Sequence, residues 1–336
     1  MPGKILESGL MADCPILVTG AAGFIGYHVA ERLLARGEAV VGIDNLNDYY
    51  DPRLKQARLD RLAHPRFSFE RVELADRAAV EALFVRHRFS RIVHLAAQAG
   101  VRYSLTHPHA YVDSNITGFL NLLEAVRKRH IEHFVYASSS SVYGANTKLP
   151  FSVEDRVDHP VSLYAATKRA NELMGFVYAR TFGIPLTGLR FFTVYGPWGR
   201  PDMAAMIFTR AILAGEPIDV YNHGNLQRDF TYIDDIVSGV VAIMDRLPPA
   251  QDGVQHRVYN IGNHRPEPLM RFIEVLSNAL GQKPQMNMLP MQPGDVHATF
   301  ADIGALARDY GWQPTTTIDE GLPRLVAWYR AYYDKP

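Results

Sequence analysis

A tyrosine and a lysine stand four residues apart at Tyr164 and Lys168. On a helix this spacing places both side chains on one face, about one turn apart. A neighbouring ammonium group lowers the pKa of a phenol, which lets a tyrosine act as a base near neutral pH. A surface tyrosine and lysine at this spacing are common, so the pair gains meaning only from its surroundings.

Four consecutive serines, Ser138–Ser141, close an apolar run upstream of this pair. The run is typical of a strand, and side chains at the carboxyl end of a parallel strand face the crevice where such sheets bind ligands. A strand that ends in four hydroxyl groups has little packing rationale. We therefore interpret the serines, Tyr164 and Lys168 as one catalytic constellation in which Tyr164 transfers a proton.

Three glycines with the spacing G-x-x-G-x-x-G lie in the segment Leu17–Gly26. Glycine is needed where the backbone turns sharply, where it approaches a pyrophosphate and where helix meets strand. The helix that begins near Ile25 offers free amide groups to phosphates. A plain tight turn is the alternative. We predict a dinucleotide-binding loop formed by Gly20, Gly23, Phe24, Ile25 and Gly26.

Asp44 closes the next predicted strand. A carboxylate at this place can accept both ribose hydroxyls of an adenosine, and it repels a 2′-phosphate. The alternative is a solvated turn residue before Asn45. The sequence therefore predicts NAD rather than NADP as the cofactor.

Short apolar runs alternate with segments of helical period such as Tyr27–Arg36, which predicts an α/β fold with a Rossmann-type doubly wound parallel sheet. The predicted strands are Pro15–Val18, Ala39–Ile43, Phe67–Val72, Arg91–Leu95, His133–Ser138 and Pro185–Phe191. The pattern breaks near Tyr195. We expect an NAD-binding domain over residues 15–194 with return segments around 229–262, a smaller α/β substrate lobe over 195–336, and a disordered extension over 1–14.

The chain has 35 basic and 35 acidic side chains, which is not the electrostatic footprint of a protein that binds nucleic acid or an anionic membrane. Its single cysteine, Cys14, excludes an internal disulfide and fits a reducing compartment. No apolar run is long enough to span a membrane. His107 and His109 lack metal-ligand spacing. We expect a cytoplasmic protein without a metal site.

The glycine spacing resembles that of the extended short-chain dehydrogenase/reductase superfamily. The segments His94–Ala97 and Asn115–Asn121 match further motifs of that superfamily in order and position. Besides the glycine loop, Asp44, Tyr164 and Lys168, the resemblance implies cofactor contacts from Asn45, Asn47, Glu73, Leu74, Leu95, Ala96, Ala97, Asn115 and Phe191. Glu73 stands where the superfamily usually has aspartate.

Longer strings make the chain similar to nucleotide-sugar 4-epimerases, and among them to UDP-glucuronate 4-epimerases, from Pro15 to Tyr333. The strings are Asp44–Asp51, Ala99–Ser104, Arg190–Met203, Val220–Gly224 and Arg228–Asp235. The resemblance implies that Tyr164 takes the proton of the sugar 4-hydroxyl while NAD accepts hydride, and that a 4-keto sugar then rotates and receives the hydride on its other face. It also implies that Ser139 is the catalytic hydroxyl and that Ser140, Ser141 and Arg102 contact the substrate. Sugar dehydratases carry an acidic pair where this chain has serines, which argues against dehydration.

Thr193 stands where glucose-type epimerases have asparagine, and Arg200 follows it. An arginine offers a planar fork for a carboxylate and a threonine adds a hydroxyl donor, a combination that fits a uronic acid. A 4-keto uronate is a β-keto acid, which loses carbon dioxide readily when the bond to its carboxylate lies parallel to the carbonyl π system. We therefore expect Arg200 to protect the intermediate as well, by holding the carboxylate in another orientation. A solvated loop residue is the alternative.

Arg228 matches the family residue that meets the UDP diphosphate, and a salt bridge to Asp234 or Asp235 is the alternative. Gln292 and Asp295 stand where glucose-type epimerases have an arginine and an aspartate, so they are carried over as substrate contacts.

Three other functions remain open: a UDP-glucuronate decarboxylase, a neutral UDP-hexose 4-epimerase, and a non-catalytic NAD-binding sensor. The resemblance further implies a homodimer that pairs through the helices near Asn115 and Tyr164.

Overall fold

The computed structural model describes residues 14–292 and 296–333. Contacts divide the chain into two compact units. The first unit holds the chain up to Gly144 with Val157–Arg190 and Val240–Tyr259, and the second unit holds Ala145–Arg156, Phe191–Gly239 and the chain from Asn260 onward. These units differ from the expected domain ranges at the return segment, which begins at residue 240, and at the short segment before residue 157, which belongs to the second unit.

The predicted disordered extension lies outside the described residues except for Cys14. The carbonyl oxygen of Cys14 accepts a hydrogen bond of 3.1 Å from Ser90 Oγ. The described chain therefore begins with a residue that is already tied to the start of a strand.

A seven-stranded sheet carries the predicted doubly wound topology, and the α/β fold class is confirmed. Numbered along the chain, its strands are β1 (Ile16–Thr19), β2 (Val40–Asp44), β3 (Phe67–Arg71), β4 (Arg91–His94), β5 (His133–Ser139), β6 (Leu186–Phe191) and β10 (His256–Ile261). Their order is β10-β6-β5-β4-β1-β2-β3, and β1 pairs in parallel with both β2 and β4. The strand order therefore changes direction at β1, with β2 and β3 on one side of it and β4, β5 and β6 on the other. Ligands of such sheets bind at this switch point.

Buried apolar side chains on the strands and on the helices between them form the core of the first unit. The strand β1 is buried along its whole length, as expected for a parallel strand covered on both faces. Among the core residues are Leu17, Ile43, Ile92, Phe119, Phe134 and Tyr136.

Five helices of the first unit follow these strands: α1 (Phe24–Ala35), α2 (Pro52–Arg61), α3 (Arg77–Arg86), α4 (Gly118–Arg127) and α5 (Leu163–Phe182). Two single-turn helices, Tyr103–Thr106 and Pro108–Tyr111, and a π-helical turn over Val112–Thr117 precede α4. Side-chain oxygens of Asp51, Asp76 and Ser162 cap the starts of α2, α3 and α5 by accepting backbone N–H groups. Gly183 ends α5 in the left-handed conformation, with φ 68°.

Two small sheets organise the second unit. Strand β9 (Gln227–Tyr232) lies between β7 (Thr193–Tyr195), which is parallel to it, and β11 (Pro266–Pro268), which is antiparallel. Strand β8 (Ile218–Val220) pairs in parallel with β12 (Met286–Met288). The remaining helices are α6 (Ala204–Ala214), α7 (Ile233–Met244), α8 (Leu269–Leu280), α9 (Gly304–Tyr310) and α10 (Ile318–Tyr333).

A buried ion pair lies beside the carboxyl end of β5 in the first unit. The guanidinium of Arg190 donates two hydrogen bonds, of 2.8 and 2.9 Å, to the carboxylate of Glu172 on α5. Ser138 Oγ donates to the same carboxylate at 2.6 Å, and Arg169 donates at 3.0 Å. Burial alone would raise the pKa of the Glu172 carboxyl, but the hydrogen bonds and charge of Arg190, with the bond from Ser138, lower it below its ordinary value.

We expect Glu172→Gln to lower the free energy of unfolding by about 3–5 kcal/mol, because it leaves the Arg190 guanidinium buried without its counter-charge. The measurement is urea denaturation at neutral pH. Because the pKa of Glu172 is lower in the folded than in the unfolded chain, its stabilising contribution is present above the ordinary glutamate pKa of 4.5 and is lost as the pH falls through the folded value. The difference between variant and parent should therefore shrink in acid.

Glu81→Gln is the matched control, because the Glu81 carboxylate pairs with Lys128 at 2.7 Å but is 31% exposed. We expect this variant to lose less than about 1 kcal/mol. Equal losses in the two variants would contradict the importance of burial for the Glu172 pair.

Candidate active site

The glycine loop follows β1 and is too tightly packed for side chains. Gly20 has φ +71°, and a Cβ placed on it would lie 2.8 Å from the backbone nitrogen of Ala96. A Cβ on Gly26 would lie 2.0 Å from the carbonyl oxygen of Gly20, and one on Gly23 would lie 2.9 Å from the same atom. Real Cβ atoms do not approach backbone this closely, so all three positions require glycine.

The start of α1 presents backbone amide groups rather than a side-chain cap. Gly23 is the N-cap residue and makes no side-chain hydrogen bond to the first turn, which begins with Phe24 and Ile25. Amide groups at a helix start carry partial positive charge and bind phosphate. The loop and the start of α1 therefore fit the pyrophosphate of a dinucleotide.

Three side chains after β2 fold the chain back by accepting backbone N–H groups two residues ahead. Asp44 accepts from Leu46 at 2.9 Å, Asn45 from Asn47 at 3.1 Å, and Asn47 from Tyr49 at 3.4 Å. Asp44 is nearly buried, with 9% of its surface exposed. Its carboxylate thus lies at the end of β2, where a dinucleotide ribose binds in folds of this type.

Two basic residues of α2 that the sequence analysis missed also lie here. Lys55 Nζ donates to Asn47 Oδ1 at 2.8 Å and lies 3.8 Å from Asp44 Oδ1. Arg58 is fully buried and donates to the carbonyl oxygen of Ala22 in the glycine loop at 2.8 Å. The sequence could have indicated their burial, because both lie on the side of α2 that carries the buried Leu54 and Leu59. A solvent-exposed lysine or arginine is unexpected on that side of the helix.

Thr19 connects the ends of β1 and β4. Thr19 Oγ1 lies 2.7 Å from His94 Nδ1 and accepts from the backbone nitrogens of Leu95 and Ala96 at 3.2 and 3.1 Å. Leu95, Ala96 and Ala97 are half-buried. These contacts place the predicted cofactor segment 95–97 directly against Gly20.

Asn115 lies in the π-helical turn, and its side-chain amide makes hydrogen bonds within the chain. Its Oδ1 accepts from the backbone nitrogen of Gln98 at 2.9 Å, and its Nδ2 donates to the Gln98 carbonyl oxygen at 3.0 Å and to Thr167 Oγ1 at 3.1 Å. The structure thus gives Asn115 a role in joining the loop after β4 to α5. A cofactor contact from Asn115 stays a prediction.

Glu73 and Leu74 follow β3. Glu73 accepts from Asn45 Nδ2 at 2.8 Å and from the backbone nitrogen of Ala75 at 3.2 Å. Leu74 is buried, and its carbonyl oxygen accepts from Asn121 Nδ2 at 2.8 Å. The glutamate that departs from the superfamily pattern is therefore held beside Asn45.

The serine segment begins at the end of β5. Ser139 Oγ donates to Ser141 Oγ and accepts from the Ser141 backbone nitrogen, both at 3.1 Å, and Ser140–Tyr143 form a short 3₁₀ turn. Ser138 faces the other way, into the buried Glu172 network. The strand end was expected to have little packing rationale, and Ser138 departs from that expectation because its hydroxyl donates to the buried Glu172 carboxylate.

Lys168 is buried beside the same strand end, one turn along α5 from Tyr164. Its Nζ donates to the carbonyl oxygen of Ala137 at 2.8 Å, and only 2% of its surface is exposed. Burial lowers the pKa of the Lys168 ammonium to about 8. Burial, with the charge of Lys168, also lowers the pKa of His94 to about 3, so His94 is neutral at physiological pH.

Tyr164 is half-buried on α5, and its ring meets that of Tyr111 edge to face, with the centroids 6.0 Å apart. Arg102 is exposed at the start of the single-turn helix Tyr103–Thr106. The first unit therefore carries Ser139, Ser140, Ser141, Tyr164 and Lys168 on two adjoining elements, β5 with its turn and α5.

The second unit carries one predicted cofactor residue, Phe191, and further predicted substrate residues. Phe191 is buried at the end of β6, and Thr193 is half-buried at the start of β7. Arg200 is paired with Asp202, with 3.0 Å from Nε to Oδ1 and 2.5 Å from Nη2 to Oδ2. Arg228 on β9 donates to the carbonyl oxygens of Gln227 and His297 at 2.9 and 3.2 Å.

Gln292 Oε1 is buried without a hydrogen-bond partner among the described residues. Asp295 lies outside the described residues.

Among residues 14–292 and 296–333, no group of three or more histidine, cysteine, aspartate or glutamate side chains is arranged to hold a metal ion. In that same part of the chain, no helix combines the length and apolar character needed to cross a membrane.

Comparison with known proteins identifies the family. The NAD dependent epimerase/dehydratase family matches residues 16–262. The chain belongs to this family. The match covers the glycine loop, the serine segment, Tyr164, Lys168, Arg200 and Arg228.

This epimerase/dehydratase family member is 47% identical over 331 residues to UDP-glucuronate 4-epimerase 3 of Arabidopsis thaliana. The match covers 95% of this chain and 77% of the relative. It is 49% identical to Protein CapI of Staphylococcus aureus, and this match covers 95% of this chain and 99% of the relative. Its structure is similar, with a TM-score of 0.87 and 34% identity, to UDP-glucuronic acid 4-epimerase from Bacillus cereus solved with UDP-glucuronic acid and NAD, over 95% of this chain and 100% of that chain.

We expect the Lys168 ammonium of this family member to titrate near pH 8, because burial disfavours its charged form. The measurement is a pH titration of the lysine side-chain carbon shifts by NMR, with Lys168→Met to assign the signal. A Lys168 signal that titrates near 10.5, the ordinary lysine value, would contradict the burial of this group.

Proposed function

We propose that this protein is an NAD-dependent UDP-glucuronate 4-epimerase, which converts UDP-glucuronate to UDP-galacturonate through a transient 4-keto sugar. The observation that carries the proposal is the placement of the buried Lys168, one turn from Tyr164 and bonded to the end of the serine-bearing strand. The similarity to UDP-glucuronate 4-epimerase 3 over nearly the whole chain supports the same activity. The family is NAD dependent, which supports the cofactor.

The first unit fits NAD. Backbone amides at the start of α1 would bind the pyrophosphate, and the Asp44 carboxylate would accept the ribose hydroxyls and repel a 2′-phosphate. Asn45, Asn47, Glu73, Leu74, Leu95, Ala96, Ala97, Asn115 and Phe191 stay proposed contacts. Bound NAD supplies an acceptor that takes a hydride from carbon four of the sugar and returns it.

Tyr164 would accept the proton of the sugar 4-hydroxyl as carbon four becomes a ketone, and would give that proton back when the hydride returns. Lys168 holds a positive charge near the phenol below about pH 8, and this charge favours the phenolate. The hydroxyl of Ser139 would donate a hydrogen bond to the oxygen at carbon four. No net oxidation would result, so the reaction would not require NAD to leave the first unit between turnovers.

Arg200 and Thr193 would bind the carboxylate of the sugar. The planar fork of a guanidinium matches a carboxylate, and the threonine hydroxyl adds a donor. The 4-keto uronate is a β-keto acid, which loses carbon dioxide when the bond to its carboxylate lies parallel to the carbonyl π system. A held carboxylate would keep that bond away from this orientation.

The nucleotide end of the substrate would meet further residues. Arg228 would supply a guanidinium to the diphosphate, and the buried Gln292 Oε1, which has no hydrogen-bond partner among the described residues, would accept a hydrogen bond from the substrate. Ser140, Ser141, Arg102 and Asp295 are proposed contacts on the strength of the family pattern. The single cysteine fits the cytoplasm as the place of this reaction.

We expect the purified protein to convert UDP-glucuronate, without added NAD, to a C-4 epimer of unchanged mass. The measurement is product analysis by mass spectrometry and NMR. A product lighter by one carboxyl group would support a decarboxylase instead, comparable turnover of UDP-glucose would support a neutral-sugar epimerase, and no turnover with NAD bound would support a sensor.

Two variants accompany this test. Tyr164→Phe removes the proton acceptor and should abolish epimerisation while NAD stays bound. Arg200→His should increase the pentose by-product, because the carboxylate is held less firmly. If Arg200→His formed no more pentose than the parent, the protective role of Arg200 would be wrong.

A homodimer is proposed from exposed apolar side chains on two helices. Leu120 on α4 is 39% exposed, and Leu173 and Val177 on α5 are 54% and 53% exposed. Apolar side chains grouped on helices in this way are typical of a protein interface. The resemblance to nucleotide-sugar 4-epimerases supports pairing through these helices, which lie near Asn115 and Tyr164.

We expect Leu173→Glu with Val177→Glu to produce a monomer, because two charges would be buried in the interface. The measurement is sedimentation velocity of the parent and the variant. Val85→Glu is the control, since Val85 is 79% exposed on α3, away from the proposed face. A parent that sediments as a monomer would contradict the proposal.

A further inference from the structure

The guanidinium of Arg200 is held in one plane by a neighbouring carboxylate. Nε and Nη2 of Arg200 donate to the two oxygens of Asp202 at 3.0 and 2.5 Å, which is a bidentate pair. The two side chains are 21% and 32% exposed. We propose that Asp202 is a positioning residue that sets the orientation of Arg200, and through it whether the 4-keto sugar keeps or loses its carboxylate. This inference rests on the proposed function.

The backbone around the pair is built to hold one conformation. Trp198 has φ 61°, in the left-handed region that large side chains rarely adopt. Its ring packs against Trp328 and Tyr332 of α10, with centroids 5.2 and 5.0 Å apart. The backbone nitrogen of Met203 then donates to the Arg200 carbonyl oxygen at 3.2 Å. Arg200 therefore stands on a segment anchored before and after it.

A guanidinium can bind carboxylates along two edges. The pair with Asp202 uses the edge formed by Nε and Nη2. The edge formed by Nη1 and Nη2 presents a second pair of parallel N–H groups in the same plane. A sugar carboxylate bound along that edge would leave the pair with Asp202 in place, and the position of the guanidinium would set where the carboxylate lies relative to the sugar ring.

The position of the carboxylate matters for the intermediate, because it sets the direction of the bond that joins the carboxylate to the sugar ring. When the bond between the sugar ring and its carboxylate lies parallel to the π system of the 4-keto group, that bond breaks and its electron pair enters the π system. Carbon dioxide leaves, and a proton then adds to the resulting enolate. A guanidinium fixed by Asp202 holds the carboxylate away from this alignment, whereas a guanidinium free to turn would let the carboxylate reach it.

The test is Asp202→Asn, assayed with UDP-glucuronate for both products. An amide keeps the shape but places an NH₂ group opposite one N–H of Arg200, so the bidentate pair is lost. We expect the ratio of pentose to epimer to rise about five- to tenfold, and KM for UDP-glucuronate to rise about three- to tenfold, from the loss of a partly exposed charge-assisted pair. Asp202→Glu, which keeps the charge, should restore part of the parent ratio.

The chain offers a matched control at Asp51, which also binds an arginine two residues later. Arg53 donates to the Asp51 carboxylate through Nε and Nη2, and Arg53 is 89% exposed. Asparagine can still cap α2 at this position, so Asp51→Asn should leave both the product ratio and KM unchanged.

Two results of Asp202→Asn would overturn the inference. An unchanged product ratio would mean that the Arg200–Asp202 pair has only a structural role in its loop. A lower KM would mean that Asp202 competes with the sugar for Arg200. Both results differ from a failure of the proposed function, which would appear in the parent protein as the absence of any epimer.

Discussion

The chemistry proposed for the first unit depends on the buried positive charge of Lys168. The ammonium of Lys168 lies beside the end of β5 with a neutral carbonyl oxygen, that of Ala137, as its hydrogen-bond partner. The nearest acidic residue along the same helix face, Glu172, is already engaged by Arg190 and Arg169. The charge of Lys168 is therefore left to act on the groups around it, and an interior with low dielectric strengthens that action.

The strands β1, β2, β4, β5 and β6 could be predicted from the sequence because each is largely buried and appears as a short apolar run, whereas the half-buried β10 was not predicted as a strand. The observed bounds of β1, β2 and β4 differ from the predicted runs by no more than one residue at either end. The glycine loop was predictable for a similar reason, since its spacing reflects backbone contacts that only glycine permits. The serines and the Tyr164–Lys168 pair were proposed as a catalytic group because the two motifs occur together, since the spacing of the pair alone is common on helix surfaces.

The supporting residues could not be predicted in the same way. Lys55, Arg58 and Arg190 are charged, and a charged residue in an amphipathic segment is more often solvated than buried. Their partners lie far away in the chain: Arg58, for example, binds the carbonyl oxygen of Ala22. The second unit was the least predictable part. Its strands are short, and its loops are held together by hydrogen bonds to buried polar side chains.

Asp229 is the main example in the second unit. Its carboxylate accepts backbone N–H groups from Asn263, His264 and Ala301, and burial raises its pKa to about 6. These bonds join strand β9, which carries Arg228, to two segments remote in sequence. No local pattern in the sequence marks an aspartate for such a role.

The close contacts of the glycine loop limit how this protein can change over evolutionary time. A methyl group at Gly20 would press on the chain at Ala96, and one at Gly26 would overlap the Gly20 carbonyl itself. No single replacement at either position can be accommodated by a neighbouring side chain turning aside, because the obstacles are main-chain atoms. Drift at this loop would require several segments to move together, so variation among descendants of this sequence should accumulate elsewhere first.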